Sequence, residues 1–254
     1  MSRLFDGVDD QTLGTISTVS DSDWTMASWV YPATAGESNQ GWIMAALQSG
    51  GVRQMFRMAA AGRTIYASQE YATTTAASTS VETLSASAWS LVVATHRASD
   101  NTMRLHIGTL SAAVAECTYS TQTAGVGAFT TGGGQIRLGC RNATDRTFDG
   151  RIGPSCFDIR EWTVPEMERF RSGLFPIPTS TMRCLYPLMS PDAAQGEDLS
   201  GNATALTVTG CTAAENPPVA FRWGDDLGLT FTATAGGASA VPVMMANYRR
   251  RRVA

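Results

Sequence analysis

Along most of the first 210 residues, apolar and polar positions alternate with period two, in short runs broken by Gly, Asp, Asn and Ser. That is the periodicity of half-buried strands. In WTMASWVYP, 24 to 32, Trp24, Met26, Ser28 and Val30 share one face and Thr25, Ala27, Trp29 and Tyr31 the other, and large residues on both faces predict an interior strand. GWIMAALQ, 41 to 48, and VRQMFRMAA, 52 to 60, flank a Ser-Gly-Gly turn and read as a hairpin. The second of these strands sets Arg53, Met55 and Arg57 on a partly solvated, basic face. AAGR at 60 to 63 then turns the chain into TIYASQEYA, extending the meander, whereas TTTAASTSVETLSAS has little apolar period and predicts a loop or weak edge strand.

WSLVVATHR, 89 to 97, is the strongest strand signal, a β-branched run joined through Ser-Asp-Asn to TMRLHIGTL, 102 to 110. CTYSTQT and QIRLGCR, 135 to 141, are further strand candidates, with GAFTTGGG between them as loop. FDGRIGPSCFDIREW, 148 to 162, predicts the last long strand, and Pro154, which cannot donate to a ladder, belongs at a bulge or edge. TVPEMERFRSG follows with Thr163 as N-cap, Pro165 and Glu166 in the first turn and Gly173 as the stop of a short helix. RCLYPLM and DLSGNATALTVTG return to strand.

These elements predict an all-β chain: a two-sheet antiparallel sandwich over 1–215, one short helix near 164–172, and an extended C-terminal arm over 216–254. The arm holds a Pro pair, Gly-Gly and small residues, yet carries Phe221, Trp223, Leu227, Leu229, Met244, Met245 and Tyr248. A solvated tail is poor in such anchors. Phe221, Trp223, Met244, Met245, Tyr248 and Arg249, Arg250, Arg251 and Arg252 are therefore the expected contacts to partner subunits.

Composition narrows the function. Charged residues make up only 16% of the chain, well below the usual share, so its surface is polar mainly through hydroxyls and backbone, which suits a protein held in an assembly. All 19 basic residues are Arg, and the net charge of -3 excludes a general nucleic-acid coat, leaving the four terminal arginines as the sole expected route to nucleic acid. Five scattered cysteines lack any metal-ligand spacing and read as buried free thiols of a reducing compartment. With no apolar signal core at MSRLFDGVDD and no membrane-length apolar run, synthesis in a cytoplasm without membrane association is expected.

The order of these segments, from FDGVDD through WTMASWVYP, WSLVVATHR with its turn and MRLHIG, IRLGCR, FDGRIGPSCFDIREWTVPEME, and YPLM with DLSGNATALTVTG, resembles the laminin G-like, concanavalin A-like lectin/glucanase sandwich over residues 4 to 212. The resemblance implies a jelly roll of two facing antiparallel sheets, one of them often used for recognition. The variety it resembles most is common in bacteriophage structural proteins and bacterial surface proteins.

Glucanases of this fold carry E-x-D-x-x-E on one strand. Here CFDIRE keeps Asp158 and Glu161 but has Cys156 in the nucleophile's place, and retaining hydrolysis needs two carboxyls about 5 Å apart. Asp158 and Glu161 read instead as a solvated or Arg-paired strand face. His96 and His106 read as satisfied surface imidazoles, near each other across a hairpin, with no triad or nucleophile elbow. Many laminin G-like domains bind calcium at the rim. Asp6, Asp9 and Asp10 are the candidate ligands, with Asp21 and Asp23 next, although Ca²⁺ takes six to eight oxygens; no other cofactor is expected.

The resemblance thus implies a non-enzymatic bacteriophage virion structural protein, a capsid decoration or cement protein that meets the major capsid protein and forms a homo-oligomer. The alternative is a carbohydrate-binding host-adhesion module of a phage tail or bacterial surface, for which Trp29, Trp42, Tyr66, Tyr71 and Trp89 are candidate sugar platforms that compete with simple core packing.

Overall fold

The computed structural model describes residues 2–19, 23–48, 51–59, 62–131, 134–141, 145–188 and 195–223. Its strands are β1 (Ser2–Asp6), β2 (Gln11–Leu13), β3 (Trp24–Pro32), β4 (Trp42–Gln48), β5 (Gly51–Met58), β6 (Thr64–Gln69), β7 (Ala76–Thr83), β8 (Ser90–Arg97), β9 (Thr102–Thr109) and β10 (Ala115–Glu116). They continue as β11 (Tyr119–Thr123), β12 (Gln135–Leu138), β13 (Asp149–Asp158), β14 (Leu174–Phe175), β15 (Met182–Tyr186), β16 (Gln195–Gly196), β17 (Leu206–Thr209), β18 (Thr212–Ala214) and β19 (Arg222–Trp223). The helix α1 (Val164–Arg171) is the one α-helix among the described residues, and no helix there is long and apolar enough to cross a membrane.

Two antiparallel sheets face each other as a jelly-roll sandwich. One runs β10-β9-β8-β3-β13-β1-β18, with β15 also on β13; the other runs β11-β7-β6-β5-β4-β12. Side chains from both inner faces, among them Trp24, Met26, Phe56, Ile65, Phe148 and Phe157, form the central core. The alternation in β3 has the predicted outcome. Trp24, Met26 and Val30 enter this core while Ala27 and Trp29 enter a second core on the far side of the same sheet, and β3 lies between β8 and β13.

The segment 148–162 builds the middle of that sheet. β13 pairs with β3 and β1, and its register on β3 shifts between Ile152 and Ser155, which places Pro154 in a bulge where no ladder donor is required. Glu166 reaches back from the first turn of α1 to accept both the Thr163 amide (2.8 Å) and the Thr163 hydroxyl (2.9 Å), closing the helix start. At the helix end Gly173 has φ +87°, and a Cβ there would lie 2.5 Å from the Ala220 carbonyl oxygen. Glycine both stops the helix and lets the C-terminal segment pass against it.

The stretch 73–87, expected as a loop or weak edge, contains β7, an inner strand between β6 and β11. Its alternation is carried by small residues: Ala76, Ser78 and Ser80 are buried, and the Ser78 hydroxyl donates to the Met103 carbonyl of the opposite sheet at 2.7 Å. Small side chains fit where the two sheets come close, and they leave no apolar period to read.

Candidate functional site

The two outer faces of the sandwich differ. That of the eight-stranded sheet is covered over its middle strands, while Leu4 at the β1 side stays exposed. Trp29, Trp89, Leu91, Val93 and Cys156 are packed beneath Trp162, Met167 and Phe170 of the helical segment and beneath Phe175 and Phe221. Phe221 was expected at a partner interface; the structure instead buries it to 1% exposure, stacked on Phe175 with centroids 5.2 Å apart. An apolar ring finds more to bury against in its own chain's second core than in solvent. The parallel pairing of Leu174 with Arg222 and Phe175 with Trp223 continues this strap, and Pro217 lies against Gly153, where a Cβ would be 3.2 Å from the Pro217 Cδ. Met244, Met245, Tyr248 and Arg249 to Arg252 lie outside the described residues, as does Asp21.

This cover also decides the fate of the CFDIRE stretch. Cys156 is fully buried in the second core, and burial pushes its thiol well above the ordinary range. Asp158 has no exposed surface; it accepts the Trp162 indole N–H (2.9 Å) and the Thr181 hydroxyl (2.7 Å) and faces Arg160 Nε at 2.9 Å. It is Arg-paired as expected, but buried rather than solvated. Glu161 binds Arg97 through both oxygens, each at 2.9 Å. Both carboxylates therefore fasten the start of the helical segment to the sheet.

The histidines also depart from expectation. His96 and His106 are both buried, and because Val93 pairs with His106 while Met103 pairs with His96, they lie on opposite faces of the sheet. His96 stacks on Trp24 in the central core, and its Nε2 is 2.9 Å from the Tyr71 hydroxyl. All five cysteines are free and buried.

Asp6, Asp9 and Asp10 do come together, one oxygen of each lying within 4.8 Å of the others. Asp6 Oδ1 accepts the Val8 amide (2.8 Å) and the buried Asp10 accepts the Asp6 amide (2.7 Å). Burial raises the Asp10 carboxyl above the usual carboxylate range; the Asp6 amide opposes this, and the charges of Asp6 and Asp9 add to it. The donors suit a hard cation in kind, but three carboxylates fall short of the six to eight oxygens that Ca²⁺ takes. Asp23, the next acid considered, accepts the Ala98 amide at 2.7 Å.

The outer face of the six-stranded sheet is different in character. Cross-strand register sets Arg137, Ala45, Met55 and Ser68 in one row and Trp42, Arg57, Tyr66 and Thr79 in the next. Trp42, Ala45 and Leu47 form a small apolar cluster with half-buried Val52 and Met55 against it. The basic face read from Arg53, Met55 and Arg57 is this one. Arg53 pairs with Glu70, and the Arg57 guanidinium lies over the Tyr66 ring, 4.4 Å from its centroid. Burial lowers the Arg57 pKa, which Tyr66 counters and nearby Arg146 reinforces. Of the five candidate platforms, Trp29, Trp42, Tyr71 and Trp89 are buried and Tyr66 is half-buried. Arg137 and Arg146 were not singled out from the sequence. Arg137 could have been, since Ile136 and Leu138 on either side point inward and so turn it out.

A family described as the concanavalin A-like lectin/glucanases superfamily matches residues 5–154, more than half of the chain. The chain belongs to that superfamily. No curated protein matches the sequence. Among solved structures, a candidate carbohydrate binding protein from Bacteroides ovatus is similar at 14% identity and a TM-score of 0.60, over 87% of this chain and 61% of that one. This chain thus spans less than two thirds of the Bacteroides protein. A heptameric SAP-like pentraxin from Limulus polyphemus is similar at 11% identity and a TM-score of 0.52, over 82% of this chain and 95% of that one. At these identities the likeness is one of fold, and the superfamily is lectin-like in character.

Proposed function

We propose that this chain is a non-catalytic carbohydrate-recognition sandwich that binds through the outer face of its six-stranded sheet. The observation that carries the reading is the asymmetry of the two faces. One is largely covered by α1 and the strap 217–223, leaving Leu4 and a half-buried Tyr31 at its margin, and the other, with no helix over it among the described residues, presents a half-buried Tyr66, braced by Arg57, beside an apolar cluster. An aromatic ring held by a cation packs against the apolar side of a sugar while neighbouring polar groups reach its hydroxyls. The names of the superfamily and of the Bacteroides relative support this reading, and the burial of Cys156 and Asp158 supports the absence of glycosidase chemistry. A glycan array probed with the whole chain and with Tyr66→Ala tests it: bound glycans whose signal falls in the variant are expected, and equal signals from both chains would refute the assigned face.

A second reading is favoured by the anchoring of Phe221. The strap fixes the chain beside α1 as far as the backbone of Trp223. On this reading the sandwich decorates a virion as a homo-oligomer, and Trp223, Met244, Met245, Tyr248 and Arg249 to Arg252 meet a capsid protein. Removing residues 224–254 is then expected to abolish incorporation into particles while the sandwich stays folded. Undiminished incorporation would end this reading.

A further inference from the structure

The open face carries an imbalance between hydrogen-bond donors and acceptors. Among the described residues, neither Arg57 nor Arg137 has a carboxylate within ion-pair distance. Arg57 donates to its neighbour's carbonyl, that of Met58, at 2.9 Å, and Arg137 donates to the Gln11 amide oxygen at 3.2 Å. Arg146 is 3.8 Å from Asp145 and donates to Gln40. On and beside this face, the buried polar atoms without a partner are the indole Nε1 of Trp42, the Nε of Arg53, Arg137 and Arg146, and the Thr64 hydroxyl. Every one of them can donate. None is an obligate acceptor.

Those atoms lie beneath the surface; what the face offers a ligand is the guanidinium N–H groups of half-buried Arg57 and Arg137, so the group that best settles there brings acceptors only. A neutral sugar brings hydroxyls, each of which also has a proton to place. A carboxylate brings two acceptor oxygens and no donor, and its plane matches the fork of a guanidinium. Trp42 is only 3% exposed and its N–H is buried, which leaves Tyr66 to take the apolar side of the sugar.

We propose, resting on the recognition face above, that the ligand is a carboxylate-bearing polysaccharide of the uronic-acid type, with carboxylates along it held by Arg57 and by Arg137 and a sugar ring against Tyr66. The Arg53–Glu70 pair borders the site, and Glu70 repels a carboxylate placed there, which confines the acid group to the Arg57 and Arg137 side. A sulfated polymer shares the negative charge but not the planar fork geometry, so the two can be told apart.

The test is titration calorimetry with the whole chain at about 0.15 M salt, where charges more than about 8 Å apart are screened. The probes are polygalacturonate, the same polymer with its carboxyls reduced to alcohols, and dextran sulfate. Polygalacturonate is expected to bind about tenfold or more tightly than the reduced polymer, a difference of about 1.4 kcal/mol. The double variant Arg57→Gln, Arg137→Gln is expected to abolish that preference with an unchanged melting temperature, whereas replacing all four of Arg249 to Arg252 by Gln leaves it intact. Arg57→Lys keeps the charge without the fork and is expected to fall between. Equal affinity for the acidic and reduced polymers, lost in Tyr66→Ala, would overturn the acid assignment and leave the recognition face standing. Dextran sulfate binding as tightly as polygalacturonate, or a preference abolished by the terminal arginine variant, would also overturn it. Failure of every probe together with a silent glycan array would remove both proposals.

Discussion

Phe221→Ala is expected to cost this protein a large part of its stability, although position 221 lies six residues past the expected end of the sandwich. The ring is 1% exposed, stacked on Phe175 at 5.2 Å and 24°, in the core that also holds Trp29, Phe170 and Met167. Truncating a buried Phe to Ala costs about 3–5 kcal/mol, the lost transfer free energy plus the cavity left behind. Position 221 sits at the upper part of that range if the strap stays in place and the cavity persists, and at the lower part if the strap peels away and lets water in. For a chain of this size each kcal/mol moves the melting temperature by about 2–4 °C, so a fall of about 8–16 °C is expected for a loss of about 4 kcal/mol. Urea unfolding followed by Trp fluorescence reports it, since Trp29, Trp89 and Trp162 belong to the same core. Phe175→Ala and the double variant complete a cycle, and a coupling of about 0.5 kcal/mol or more is expected for rings in contact. If Phe221→Ala shifts stability by less than 1 kcal/mol, or if a chain ending at 215 melts like one ending at 223, the strap is an appendage and this account of the second core is wrong.

Three further outcomes follow from the same geometry. Gly139→Ala places a Cβ 2.0 Å from the Phe5 ring at φ +78°, and a lower melting temperature by thermal unfolding is expected; an unchanged one would mean that Phe5 is free to move. Asp158→Ala strips a buried acceptor from Arg160, Trp162 and Thr181 and is expected to cost about 3 kcal/mol in urea unfolding, with a near-neutral result contradicting its role as a fastener. Because the Asp10 carboxyl is raised, the native state holds its proton more tightly than the unfolded chain. Its contribution to stability is present below the ordinary carboxylate range and is lost as pH rises through the raised value. Asp10→Asn keeps an acceptor for the Asp6 amide, so with chelator present a higher melting temperature at pH 7 is expected, and no rise would place the strain elsewhere.

How far the sequence foretells this structure depends on where side-chain size and pattern coincide. β3, β8, β9 and β13 are legible because large residues alternate or run without break, and the helix is legible through Thr163, Glu166 and Gly173. β7 is hidden because its inward side chains are Ala and Ser, whose burial leaves no hydrophobic period. Phe221 is misread because composition changes at 216 while packing does not end there; Gly173, which lets the strap pass the helix end, is explained in the sequence by helix termination alone. The histidines are misread because register, which no local pattern states, decides which face each side chain takes. The open face is half legible. Arg53, Met55 and Arg57 announce a basic strand face, whereas the neighbouring Trp42, Tyr66 and Arg137 join it only through the pairing of β12, β4, β5 and β6.

Hydrogen exchange on the whole chain with and without a bound polysaccharide tests the central claim most directly, because it reports which face meets the ligand without altering a residue. Protection is expected in β4, β5 and β6 around Trp42, Arg57 and Tyr66, with no change in α1 or in the strap 217–223. Protection confined to Asp6–Asp10, or to the helix-covered sheet, would contradict the assignment of recognition to the open face.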